Sequence, residues 1–153
     1  MTAKRRPSRR FSFVVAIGVF LAADVAAQSE VTKADPDDPA LVERGNAIYA
    51  QHCAACHGAN LEGQPNWQKP LPNGHWPAPP HDRTGHTWHH PDKVLFDVTK
   101  YGIQAMVPDR ESDMASFKDV LSDGDIWAVI SFIESTWPTE IRERQRRMNR
   151  NAR

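Results

Sequence analysis

Residues 49–60 read YAQHCAACHGAN, and they hold both cysteines of the 153-residue chain. Cys53 and Cys56 are three positions apart, and His57 follows the second directly. Three chemistries use such a cluster: a redox disulfide, a zinc site and covalent attachment of a haem. A redox disulfide of the thioredoxin kind wants a strand before the motif and a βαβ pattern around it. What precedes the motif reads instead as a helix. Asp38 is a good N-cap, Pro39 suits the first helical position, and Leu41, Ile48 and Tyr49 fall on one side. Zinc needs two further ligands, and there is no second cysteine pair.

Covalent haem attachment is the remaining reading. Two thiols at i and i+3 at the end of a helix face the same way and can add to the two vinyl groups on one edge of a porphyrin. His57 then ligates the iron through Nε2, and its Nδ1–H is expected to donate to a backbone carbonyl that fixes the ring. One haem c is therefore the expected cofactor, with Cys53 and Cys56 as its thioether residues.

The first 27 residues read as an address. Residues 4–10, KRRPSRR, are basic; residues 11–23, FSFVVAIGVFLAA, are apolar; Val25-Ala26-Ala27 offers the small residues a signal peptidase needs. Cleavage is expected after Ala27. An uncleaved anchor is the alternative, although a span needs about 20 apolar residues. Arg9-Arg10 alone is a weak twin-arginine signal. Either way the working domain is expected outside the cytoplasmic membrane, in the periplasm or an equivalent space.

The expected boundaries are a signal at 1–27, a haem domain at 28–140 and a basic tail at 141–153. Their charges differ sharply. Residues 28–140 hold 8 bases and 17 acids, whereas residues 141–153 hold six arginines and one acid. Such a tail, IRERQRRMNRNAR, lacks an apolar face able to join a core and reads as a polar helix or an unstructured end. Its arginines suit an acidic redox partner or an anionic membrane surface, or the tail is a solvated terminus without a role. No nucleic-acid partner is expected.

The stretch RGNAIYAQHCAACHG, residues 44–58, resembles the opening of bacterial class I c-type cytochromes, with Gly45 and Tyr49 four apart before C-x-x-C-H. The stretch DMASFKDVLSDGDIWAVISFIES, residues 113–135, is similar to that family's methionine loop and last helix, with Ala115 where proline is usual. The resemblance covers the two ends of the domain after the signal. It implies an all-α fold in which the N- and C-terminal helices cross around the haem, with Gly45 and Tyr49 packing on Val129 and Phe132. It also implies a distal methionine as sixth ligand and a downstream proline carbonyl, Pro65 or Pro80, as acceptor for His57.

The last helix is readable without that resemblance. Ser122 and Asp125 form a capping-box pattern, Ile126, Val129, Ile130 and Ile133 repeat at helical spacing, and Pro138 marks an end. Between the two lies a third helix, from Pro91 through Val94, Leu95, Val98 and Tyr101 to a Gly102 cap. Residues 59–90 carry six of the twelve prolines, three of the five tryptophans and five of the seven histidines. They are expected to form a long ordered loop layer, its tryptophans packed on haem or core. Within it His81, His86, His89 and His90 raise the question of a second metal, set against plain hydrogen bonding to loop carbonyls.

Methionine as sixth ligand favours ferrous iron and raises the reduction potential. Met114, just ahead of the last helix, is the expected ligand; Met106 is expected to fill the core, and Met148 lies in the tail. The iron axial ligands are thus expected to be His57 and Met114, and no catalytic residues are expected. Function is expected to be single-electron transfer between redox donor and acceptor proteins. The rivals are a haem enzyme or ligand sensor with an open sixth site, and an electron-transfer subunit fixed in a dehydrogenase or oxidase complex.

Overall fold

The structure, a computed structural model, describes residues 30–152; the expected signal segment lies outside the described residues. Helix α1 spans Pro39–His52 and α2 spans Ala54–His57, joined at Cys53. A 3₁₀ turn at Thr87–His89 is the one helical piece of the long loop, followed by α3 (Asp92–Tyr101), α4 (Ile103–Met106), α5 (Asp123–Ser135) and α6 (Thr139–Asn151). The architecture is all-α among the described residues, with an isolated bridge between Trp76 and Ser112. None of the described helices is long and apolar enough to cross a membrane.

Local caps set the helix starts. The Asp38 carboxylate accepts from the Ala40 and Leu41 amides at 3.0 and 3.2 Å, and Pro39 fills the first turn, where its missing N–H costs nothing. Ser122 and Asp125 close a full capping box at the start of α5. Along α5, Ile126, Val129, Ile130 and Ile133 are all buried.

Helices α1 and α5 cross at Gly45. A Cβ there would lie 2.0 Å from the Ala128 carbonyl oxygen and 2.9 Å from Phe132 Cβ, so only a residue without a side chain permits this approach. The glycine thus seats on Ala128 and Phe132 rather than on Val129. Tyr49 packs on Val129, with Leu61, Ile133 and Trp137, and its ring lies 5.3 Å from that of Phe132. Arg44 ties the two helix starts together through Asp125 at 2.7 Å.

Helix α3 begins at Asp92, with Pro91 as its N-cap, and stops at Gly102, whose φ of +84° suits a glycine. Its inward residue is Phe96, stacked on Trp127; Tyr101, expected on the buried stripe, is exposed.

The basic tail departs from expectation. It is a helix from Thr139 onward, and it docks. Ile141 packs against the Tyr49 cluster. Gln145 is 1% exposed, and its Nε2 donates to the His90 carbonyl at 2.7 Å and to Asp92 Oδ1 at 2.8 Å. Asn149 Oδ1 accepts from the Asp92 amide. Arg142 and Arg146 both pair with Asp37, ahead of α1, and the Arg144 guanidinium lies over Trp88. A helix without an apolar face can dock when buried polar donors find partners, and Gln145 does so through Nε2 alone, its buried Oε1 accepting from no group among the described residues. Beneath it, Glu134 of α5 is 5% exposed. Burial first, then the charge and hydrogen bond of Asp92, push its carboxyl up to about 10, against the pull of Arg142 and Arg146. Burial beside Asp92 therefore favours the neutral form of Glu134.

Candidate haem-attachment site

The site is built on the junction of α1 and α2. The Cys53 amide closes the last turn of α1 on Tyr49, while the Cys56 and His57 amides donate back to the Cys53 carbonyl at 3.1 and 2.9 Å. One helical turn thus carries both thiols on the same side, and neither thiol is in a disulfide. Burial and the neighbouring Cys56 push the Cys53 thiol up to about 11. Gly58, at φ +82°, ends the turn, and the Tyr49 hydroxyl donates to its carbonyl at 2.9 Å.

His57 is buried, and its Nδ1 donates to the Pro79 carbonyl at 2.8 Å. This corrects the choice between Pro65 and Pro80. The acceptor depends on how the loop turns back, and Gly63 and Gly85 decide that. A Cβ at Gly63 would lie 2.4 Å from the Pro80 nitrogen, and one at Gly85 would lie 2.0 Å from the Pro80 carbonyl oxygen. The two glycines let the Pro79-Pro80 segment settle against His57. Burial lowers the His57 pKa, more than the Pro79 hydrogen bond raises it, so the imidazole is neutral and its Nε2 lone pair is free to bind a metal.

Met114 lies on the separate segment between α4 and α5 and is half-buried. The loop layer braces that segment. Trp76 donates its amide to the Glu111 carbonyl at 3.1 Å, His75 lies 2.7 Å from Asp113, and Arg110 sits 4.3 Å over the Trp76 ring. The segment reaches α1 through Phe117, whose ring meets His52 edge-on at 6.3 Å. Met106 is 44% exposed, contrary to a core-filling role, because α4 is a single turn on the surface.

The loop histidines do not converge. His81 stacks on His57, His86 on Trp67 and His89 on Trp88, while His86 and His90 meet edge-on. Among the described residues no group of three or more His, Cys, Asp or Glu side chains is placed to hold a metal ion. Of the three tryptophans only Trp88 reaches the core; Trp67 and Trp76 pack within the loop layer and on Arg110.

Residues 42–137 match the family model described as Cytochrome c, which takes in most of α1, all of α2 through α5, the Cys53–His57 turn and the Met114 segment. The chain belongs to the cytochrome c family. Membership brings a covalently bound haem c with its iron, and the donor set fits it: two unpaired thiols on one turn, followed by a neutral imidazole with Nε2 unused. A cytochrome bc1 complex cytochrome c subunit of Mycobacterium leprae (strain TN) is 41% identical over 46 residues, 30% of this chain and 16% of that protein. The chain thus spans only a small part of that relative's length. No solved structure matches the chain.

Neither the Pro79 acceptor nor the His81 stack was predicted from sequence. The run PAPPHD at residues 77–82 was the available signal: closely spaced carbonyls beside a histidine, in a loop long enough to return to the attachment turn.

Proposed function

We propose that this cytochrome carries single electrons between redox proteins outside the cytoplasmic membrane and performs no bond-making chemistry of its own. Cys53 and Cys56 would hold the haem as thioethers, and His57 and Met114 would ligate its iron. The observation that carries the reading is the His57 ring. It is buried and neutral, its Nδ1 is spent on Pro79, and it follows two unpaired thiols on one turn. The haem supplies the one-electron couple when bound. The protein's part is to fix the imidazole, to exclude water around Tyr49, Leu61 and Trp88, and to hold the Met114 segment through the Trp76–Ser112 bridge.

Acid–acetone extraction tests the attachment: the haem stays with the polypeptide, and the double change Cys53→Ala, Cys56→Ala abolishes holoprotein. Haem that extracts cleanly from the wild type overturns the reading. The ferric protein is expected to be low-spin with the weak far-red band of methionine ligation. Met114→Ala should remove that band and admit cyanide, while Met106→Ala should not. A high-spin wild type would favour an enzyme or sensor with an open sixth site.

Service to one fixed partner is the second reading, favoured by the relative described as a subunit of a bc1 complex. The arginines available for such docking are fewer than the tail's composition suggests. Arg142 and Arg146 are engaged by Asp37 and Arg144 by Trp88, which among the described residues leaves Arg150 and the loosely paired Arg147 exposed on α6. Binding to anionic vesicles, or to an acidic partner, should weaken with Arg147→Gln and Arg150→Gln and fade with salt. Equal binding across a salt titration removes the tether.

A further inference from the structure

The His81 ring lies flat against that of His57, with centroids 4.0 Å apart and planes 23° from parallel. The ring Nδ1, the amide and the carbonyl of His81 are all hydrogen-bonded. The Thr87 hydroxyl donates to the Pro80 carbonyl at 3.3 Å, so its oxygen accepts from His81 Nδ1–H at 2.8 Å. The His81 amide donates to the Leu61 carbonyl at 2.8 Å, and the His81 carbonyl accepts from Trp137 Nε1 at 2.8 Å. The edge of Tyr49 closes one side at 6.2 Å. Backbone, tautomer and ring plane are therefore all fixed from outside the stack.

A single hydrogen bond from Nδ1 to the Pro79 carbonyl does not define the plane of the His57 imidazole, because the ring can pivot about the line of that bond. A flat ring at stacking distance removes the pivot. We infer that His81 is a positioning residue that sets the plane of the His57 imidazole, through a stack locked by Thr87 and Trp137. This rests on His57 being an iron ligand. The inference concerns orientation alone: His81 neither ligates the iron nor touches the reacting partner. Thr87, Leu61 and Trp137 form its outer support, and Gly63 and Gly85 are the clearances that let the Pro79–His81 segment reach the ring.

Orientation of an axial imidazole is read directly in the ferric low-spin protein, from the g-values and from the spread of the four haem-methyl proton shifts. His81→Ala should change both, while the absorption spectrum stays low-spin. His81→Phe keeps a flat ring in the stack and should keep the wild-type pattern more closely than His81→Ala. Thr87→Val removes only the hydrogen bond that fixes the His81 ring and should move the methyl shifts in the direction of His81→Ala, by less. Identical shifts and g-values in His81→Ala and wild type would overturn the inference. So would a shift change of equal size in His81→Phe and His81→Ala, which would mean that the stack is not what matters. If His81→Ala lowers holoprotein yield too far, Thr87→Val carries the comparison, and a wild-type pattern in Thr87→Val overturns it. Loss of the low-spin state in His81→Ala would make His81 a ligand and likewise overturn it. A His57→Ala variant that stays low-spin with a wild-type spectrum would remove the ligation on which the inference stands, and so tells the two failures apart.

Discussion

The crossing of α1 on α5 should fail on the addition of one methyl group. In Gly45→Ala the new Cβ would lie 2.0 Å from the Ala128 carbonyl oxygen, 2.5 Å from its carbonyl carbon and 2.9 Å from Phe132 Cβ. Ordinary contact begins near 3.4 Å, so the helices must separate by about 1.4 Å or slide. Two of the three atoms are backbone, and no rotamer change relieves the clash. Overpacking of this kind costs about 1–3 kcal/mol, and the upper half applies where backbone must move. Against it stands the better helix propensity of alanine, about 1 kcal/mol. The expected net loss is about 1–2 kcal/mol, a fall in Tm of about 4–8 °C for a domain of this size. Thermal and urea unfolding of the ferric holoprotein measure it. Gly124→Ala, on the first turn of α5, is the control: its Cβ would meet Val31 at 3.7 Å, an ordinary contact, and stability should hold or rise slightly. Should Gly45→Ala unfold at or above the wild-type temperature, the close crossing inferred at Gly45 is wrong.

The remaining predictions concern α6 and the acid beneath it. The folded Glu134 carboxyl stands at about 10 against 4.5 for an ordinary glutamate, so the native state holds a proton that the unfolded chain releases. Its contribution is complete below about pH 4.5 and is lost as pH rises toward 10. Glu134→Gln should flatten that decline in urea midpoints between pH 5 and 9, and parallel curves would refute it. A chain ending at Pro138 loses the Ile141 packing and both Gln145 bonds, and should fall by about 2–3 kcal/mol in urea while keeping its low-spin spectrum. An unchanged midpoint would show that α6 is not seated. Gln145→Leu should cost about 1–3 kcal/mol, because it removes the donor to both the His90 carbonyl and the Asp92 carboxylate.

The features legible in sequence are those whose cause is local. Asp38 with Pro39, and Ser122 with Asp125, act within one turn, and both caps form as read. The Gly45–Tyr49 pair was carried by the resemblance to class I c-type cytochromes. The attachment turn needs only its own residues. What was not legible depends on partners far along the chain. Pro79 is chosen over its neighbours by clearances at Gly63 and Gly85. Gln145 looks like a surface residue until its acceptors, 55 and 53 positions away, are known. Phe96 lies off the Val94–Leu95–Val98–Tyr101 stripe that the helical period picks out, and its stack on Trp127 of α5 is what turns it inward. Met106 was placed in the core on residue type, but the one-turn α4 offers nothing to cover it.

Helix α6 is held by a different kind of bond from the rest of the molecule. The crossing of α1 and α5 is apolar and tight, whereas α6 rests on an amide side chain, exposed ion pairs and one half-buried isoleucine. Local opening free energies follow that difference. In hydrogen exchange the amides of α6 should form a faster class that opens without the crossed pair. Asp37 stands just ahead of α1 and is held by Arg142 and Arg146, so release of α6 frees the entry to α1 in the same event. The two ends of the folded chain are thereby one breathing unit, closed over a core that stays shut when they part.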